Sequence, residues 1–387
     1  MTEVLQHRAA ATAAAVLLSF IATGGFLILP LLVGAAATDF QLTEAQVGIL
    51  ATAVMGGAAL SSAAALLWIR RVDWRRAVAA SMLLILLAHF GCLYATGAEA
   101  LALLLLLTGL GGGAAYSVAL TVLADQAHAA RYFGLSVAAQ VTFQIVGMLL
   151  LPPFIADYGL VAVLALLLAL NVAGLCLAWW LPAGGLVTPH LEGGRLLPGV
   201  PALLALLGCF LFFFNVGVVW AYIERMASAA GLSPEFIGLG LAIGVSFGIP
   251  GALMASWCGD RYGQVPPLVI GGVVMLASVA LLAFALSGPG YIVALALYNF
   301  SWNFCLAFQY AAVNRVDDNG RSVAVAPAFH GFGAAVGPVV AAIFVTRESY
   351  LSVHLLAFAG IVGSVLLFAL SVRTGVPHSA AAVQEAA

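Results

Sequence analysis

The chain alternates long apolar stretches with short polar breaks. Apolar runs occupy roughly 9–34, 43–67, 77–97, 99–123, 133–155, 158–181, 198–223, 234–257, 267–287, 290–313, 324–345 and 350–373. Each is close to the ~20 residues needed to cross the hydrocarbon of a bilayer. No water is present there to satisfy the backbone, so every run is predicted to be helical. Twelve transmembrane helices are therefore expected. The least distinct breaks lie near Gly97 and at Gly288-Pro289-Gly290. The first run, preceded by Met1 to Arg8 and followed by Ala35-Ala36-Ala37, resembles a secretory signal. Its apolar part is about twice the usual length of such a segment, so it is read as the first membrane helix.

Composition agrees. Of 387 residues, 64% are hydrophobic and 7% charged, and the mean hydropathy is +1.14. Soluble domains carry about 25% charge, so a water-soluble protein is excluded and little chain remains for a separate soluble domain. The net charge of −2 calls for no nucleic-acid partner. The five cysteines form no CxxC pair, which suggests neither a disulfide framework nor a zinc site. Gly244-Val245-Ser246-Phe247-Gly248 matches G-x-S-x-G, but that hydrolase elbow needs a strand–turn–helix setting. Within an apolar helix its small residues suit helix packing instead. With no P-loop and no HExxH motif, the chain reads as a non-enzyme with no cofactor.

All thirteen basic residues are arginines. With the N-terminus in the cytoplasm, Arg8, Arg70, Arg71, Arg75, Arg76, Arg131, Arg195, Arg261, Arg315, Arg321 and Arg373 fall on the cytoplasmic side, and only Arg225 and Arg347 fall outside. The positive-inside rule thus predicts an even helix count with both termini cytoplasmic. The absence of lysine, read as a GC-rich coding bias, hints at a bacterium and so at its inner membrane.

An offset of 190 residues brings Leu42-Thr43 onto Leu232-Ser233, Val47-Gly48 onto Ile237-Gly238, Arg71 onto Arg261, Arg131 onto Arg321, Gly147 onto Gly337 and Gln140 onto His330. One offset serving several helices implies two parallel six-helix bundles related by an axis along the membrane normal. The expected division is an N-terminal bundle at 1–181, a short cytoplasmic linker at 182–197 and a C-terminal bundle at 198–387.

This arrangement resembles the major facilitator superfamily over nearly the whole chain. The family's loop signature ends in D-R-x-G-R-[KR]. The C-terminal half carries Gly259-Asp260-Arg261-Tyr262-Gly263-Gln264. The N-terminal copy, Arg70-Arg71-Val72-Asp73-Trp74-Arg75-Arg76, is degenerate, with Arg70 in the place of the acid and Asp73 in that of the glycine. The resemblance implies an all-α membrane transporter, with Asp260, Arg261, Asp73 and Arg71 as candidates for a conformational latch. A carboxylate there can cap a neighbouring helix or pair with an arginine. Drug–proton antiporters of the family carry a basic residue in helix four, where Leu107 stands, and a G-x-x-x-G-P-x-x-G-G in helix five, which this chain lacks. Gly333-Ala334-Ala335-Val336-Gly337-Pro338 in helix eleven is its nearest relative.

Polar residues in lipid are expected to face the interior. On helix ten, Asn299, Trp302, Asn303, Leu306, Gln309 and Tyr310 share about 120° of arc at 100° per residue, which marks a ligand wall. Helix seven offers Asn215 and Tyr222 on a face with Arg225, helix five Gln140 and Gln144, and helix four Tyr116. His330, in helix eleven, titrates in the physiological range without help and is the leading proton-coupling candidate, with Glu224 and Arg225 at the end of helix seven. The expected partners are a small organic solute with hydrogen-bonding groups, protons and the lipid bilayer, and the expected state is a monomer. Proton-coupled uptake by alternating access is the leading reading. An efflux antiporter for amphipathic compounds or metabolites and a non-transporting receptor or scaffold remain as alternatives.

Overall fold

The structure, a computed structural model, describes residues 2–42, 44–184, 197–317, 320–344 and 350–374. Its helices in chain order are α1 (Thr2–Ala22), α2 (Gly24–Leu27), α3 (Leu29–Asp39), α4 (Glu44–Trp68), α5 (Trp74–Cys92), α6 (Ala98–Ala124), α7 (Ala129–Tyr158), α8 (Leu160–Leu177), α9 (Val200–Ala229), α10 (Pro234–Ser246), α11 (Gly248–Cys258), α12 (Val265–Phe284), α13 (Gly288–Arg315), α14 (Ser322–Phe344) and α15 (Leu351–Thr374). Among the described residues, eleven spans of 19 to 30 residues are long and apolar enough to cross a membrane. The first predicted run differs. It is met by two shorter apolar helices in line, Ala9–Ala22 and Leu29–Asp39.

The interruptions have local causes. Thr23 Oγ1 donates to Ser19 O at 2.7 Å, a back-bond that competes with the helical ladder. Gly24-Gly25 follow, and Pro30 begins α3 with no N–H to give. The eighth span breaks in the same manner at Phe247, between α10 and α11, where Pro250 stands in the first turn of α11.

Each bundle is held by close backbone approach, the usual means of joining helices in lipid. A Cβ on Gly109 would meet the Val54 carbonyl of α4, and one on Gly113 would meet that of Ala58. In the second bundle, Gly333 and Gly337 of α14 lie against the Phe210 and Phe214 carbonyls of α9, and Gly217 of α9 against Ala334. The small-xxx-small pair therefore recurs in both halves, although on different helix pairs.

The bundles join along α4–α14, α6–α14, α7–α11 and α7–α13. This seam lies at the arginine-rich end and runs to mid-helix. Ser117 Oγ donates to Ala324 O at 2.8 Å, Asn314 Nδ2 to Ala124 O at 2.9 Å, and Gly134 abuts the Ser256 backbone. At the opposite end the halves part. Among the described residues α9 packs on α10, α13, α14 and α15 and makes no substantial contact with α1–α3.

Candidate functional site

Where the two bundles meet at mid-depth, seven polar side chains form one chain of contacts. Ser136 Oγ of α7 donates to Ser19 Oγ of α1 at 2.7 Å. Gln140 Nε2 donates to Ser136 Oγ at 3.2 Å and to Tyr116 Oη of α6 at 3.4 Å. Tyr116 Oη meets Tyr310 Oη of α13 at 3.1 Å, across the interface. Tyr310 Oη lies 3.4 Å from His330 Nδ1 of α14, and His330 Nε2 lies 3.1 Å from Gln309 Oε1. His330, Gln309, Tyr310 and Tyr116 are all buried.

The proton positions follow from chemistry. Gln309 Oε1 only accepts, so His330 Nε2 carries the proton and Nδ1 is the acceptor. The Tyr310 hydroxyl then donates to Nδ1, Tyr116 donates to Tyr310, and Gln140 donates to Tyr116. These three bonds point from the N-terminal bundle towards His330. Gln309 Nε2 is left buried without a partner.

An aromatic wall stands beside this chain. Phe213 of α9 stacks on the His330 imidazole at 4.1 Å and 23°. Trp302 meets Phe213 edge-on at 5.9 Å, and Trp220 meets Trp302 at 6.0 Å. Phe213 and Trp220 were not among the expected site residues. Their spacing of seven puts them on one helical face, but nothing in an apolar helix separates such a pair from core filling.

The remaining expected residues divide. Trp302 and Asn303 are half-buried, and Asn303 abuts Gly248 of α11. Its Nδ2 donates to Asn299 O at 3.0 Å, as Asn299 Nδ2 does to Leu295 O. Gln144 is half-buried one turn beyond Gln140. Asn215 and Tyr222 lie elsewhere. Asn215 is buried inside the second bundle, accepting from Tyr298 Oη at 3.3 Å and donating to Met275 Sδ at 3.3 Å. Tyr222 packs on Tyr350. An amide pointing inward here points into its own bundle, a destination that hydropathy alone does not distinguish from a cavity. The side chains of Glu224 and Arg225 lie outside the described residues.

At the arginine-rich end two contacts tie the halves. Arg70 forms a bidentate pair with Asp125 at 2.8 and 2.9 Å, with side chains 4% and 5% exposed. Its Nε donates to Gly320 O at 2.6 Å. Asp260 lies near the Ala130 N–H at the start of α7. Partial desolvation raises its carboxyl above the ordinary value, opposed by the nearby His128 charge and by that N–H. By the 190-residue offset Arg70 corresponds to Asp260 and Gly320 to Ala130. The repeat thus puts side chains of opposite charge at corresponding places: a guanidinium bonded to a carbonyl in one half, a carboxylate near an N–H in the other. Asp73 instead caps its own helix, accepting from Arg75 N at 2.9 Å. Arg71 is exposed, and Arg261 lies over Trp257 at 5.5 Å. Neighbours in sequence are rotated 100° on a helix end, so the inward-facing arginine is Arg70 rather than Arg71.

The model of the Major Facilitator Superfamily matches residues 14–318. The chain belongs to this superfamily. It is accordingly a membrane transporter rather than an enzyme. Superfamily members of known structure share its architecture. FucP in the outward conformation is 14% identical, with a TM-score of 0.76 over 94% of this chain and 98% of that one; a second structure describes FucP as the E. coli fucose:proton symporter. The proton:xylose symporter XylE bound to 6-bromo-6-deoxy-D-glucose is 15% identical, with a TM-score of 0.72 over 96% and 95%. The human organic anion transporter MFSD10 is 16% identical, with a TM-score of 0.69 over 94% and 98%. A sequence comparison with curated proteins finds no match.

Proposed function

We propose that the protein takes up a small, uncharged organic solute with several hydrogen-bonding groups, driven by protons, with His330 as the proton carrier. The observation that carries this reading is the hydrogen-bonded path from Gln140 through Tyr116 and Tyr310 to His330. It puts a titratable group in direct line with the contact that joins the bundles. A solute entering from the parted end meets Trp302, Trp220 and Phe213 on one side and the amides of Asn303 and Gln144 on the other. Aromatic faces beside amides suit a molecule with an apolar face and a hydroxylated rim, the chemistry of a sugar. FucP and XylE, which carry fucose and xylose with protons, support the class. A multiply charged solute finds no counter-charges at this depth.

Coupling follows from donor counting. Neutral His330 accepts from Tyr310. A proton added at Nδ1 turns that nitrogen into a donor, so the Tyr310 hydroxyl reverses towards Tyr116. Tyr116 then accepts from both the Tyr310 hydroxyl and the Gln140 N–H, and its own hydroxyl hydrogen loses its acceptor. A buried donor left without an acceptor costs free energy, which favours separation of the halves at the arginine-rich end. Each inward proton contributes about 2.3 kcal/mol per 100 mV of membrane potential. The same reading puts the arginine-rich end and both termini in the cytoplasm, in the inner membrane. It treats 1–181 and 198–387 as two bundles of a monomer joined by 182–197, and Arg70 with Asp260 as the latch.

Proteoliposomes test the proposal. A thermal-shift screen of neutral sugars and polyols selects the solute, and uptake is then followed with and without an inward pH gradient. Wild type is expected to accumulate it above the external concentration only with the gradient, and His330→Gln only to equilibrate. Accumulation by His330→Gln under the gradient would remove His330 from the proton path.

A further inference from the structure

We propose that the groove between the start of α7 and the end of α11 binds the head group of an anionic phospholipid, and that this lipid holds the arginine-rich end closed. The groove has a volume of about 620 Å³ and takes walls from both bundles: His128 and Arg131 from one, Leu253, Trp257, Asp260 and Arg261 from the other. Arg131, Arg261 and His128 are exposed. The described ion pairs, Arg70–Asp125 and Arg76–Asp73, lie elsewhere, so the two guanidinium groups are open to an anion. The one acid of the groove, the exposed Asp260, lies beside His128 and the Ala130 N–H. Guanidinium forks match phosphate oxygens in geometry and charge.

Two features select a lipid over a soluble phosphate. Leu253 is 49% and Trp257 60% exposed, one helical turn apart, so the basic groove runs on into an apolar outer wall along which an acyl chain can lie. Trp257 also carries Arg261 over its ring at 5.5 Å, an apolar body and a cation meeting where the membrane–water interface is expected. Because both bundles form the walls, the groove exists only while α7 and α11 touch, as they do where Gly134 abuts Ser256. A ligand that binds one state shifts the equilibrium towards it.

The test uses the full-length protein in nanodiscs of phosphatidylcholine alone or with phosphatidylglycerol. Three quantities are read: the unfolding midpoint, hydrogen exchange at Ala129–Phe133, and lipid retained in native mass spectrometry. Phosphatidylglycerol is expected to raise the midpoint, slow the exchange and stay bound. In Arg131→Gln/Arg261→Gln, retention should fall about tenfold or more, the loss of charge-assisted contacts, and the exchange protection should vanish. Arg76→Gln/Arg373→Gln, which removes the same charge from exposed positions at the same end, should keep both. If the double variant fails to fold, Arg131→Gln alone carries the comparison. Equal losses in both double variants would reduce the effect to diffuse surface charge. Unchanged retention in Arg131→Gln/Arg261→Gln would place the lipid elsewhere. Glycerol phosphate or inorganic phosphate reproducing the protection in phosphatidylcholine alone would make this a soluble-anion site, and any of these results overturns the proposal.

Discussion

Tyr310 is the residue on which the candidate site turns, since it alone touches both Tyr116 and His330. Tyr310→Phe keeps the ring packed on Phe133 and deletes one hydroxyl. The expected result is loss of proton-driven accumulation with substrate-induced thermal stabilisation retained, read by paired uptake and melting measurements. The two faces of α9 give a sharper contrast. Phe213→Ala should abolish stabilisation by substrate, because it strips the wall beside His330. Asn215→Ala should leave that stabilisation intact while lowering the basal melting temperature. It removes the side-chain acceptor of the buried Tyr298 hydroxyl and leaves the Asn215 carbonyl oxygen at 3.4 Å, a loss of about 1 kcal/mol. If the effects of these two variants were exchanged, the polar face of the helix would be the binding face after all.

At the scale of elements, helix pairing depends on glycines whose Cβ would overlap a neighbouring carbonyl. Gly113→Val would force α6 away from Ala58 of α4. Overpacking of this kind costs about 1–3 kcal/mol, and the thermal midpoint in detergent should fall. Gly25→Val, at a position with open space around it, is the comparison and should melt near wild type. The interruptions of the first and eighth spans belong to this scale too. Both were traversed by unbroken apolar runs in the sequence, because hydropathy does not register a Thr back-bond or a missing proline N–H.

For the whole molecule, the closed end is held by the Arg70–Gly320 contact together with the Ser117–Ala324 and Asn314–Ala124 hydrogen bonds. Arg70→Ala removes the guanidinium from Asp125 and releases Gly320 O in the other half. The Arg70–Asp125 pair lies within the N-terminal bundle, so its loss weakens that bundle in either state. The lost contact to Gly320 falls on the closed state, at about 1.5–3 kcal/mol for a hydrogen bond from a charged group. The expected outcome is faster hydrogen exchange in the first turn of α14, Ser322–Val325, and a population shifted towards opening at the arginine-rich end. Asp260→Asn retains an oxygen for the Ala130 N–H and should shift it far less. Equal exchange in Arg70→Ala and wild type would mean that the Arg70 contact carries none of the closure.

What the sequence determined by itself was whatever depends on local composition or on a repeated spacing. The membrane spans, the two-bundle repeat, the gathering of arginines at one end and the separate candidates Gln140, Tyr116, Gln309, Tyr310 and His330 on four helices were legible from hydropathy, charge and the 190-residue offset. Tertiary structure decided the facing of each helix. It turned Phe213 and Trp220 to the seam and Asn215 and Tyr222 away from it. It chose Arg70 over Arg71, and it brought Tyr116 to within 3.1 Å of Tyr310, 194 residues away in sequence. The physical reason is that in lipid both faces of a helix are apolar enough to be buried. The rotation of a helix about its axis is therefore set by close packing and a few hydrogen bonds with its neighbours, not by a hydrophobic pattern written along the chain.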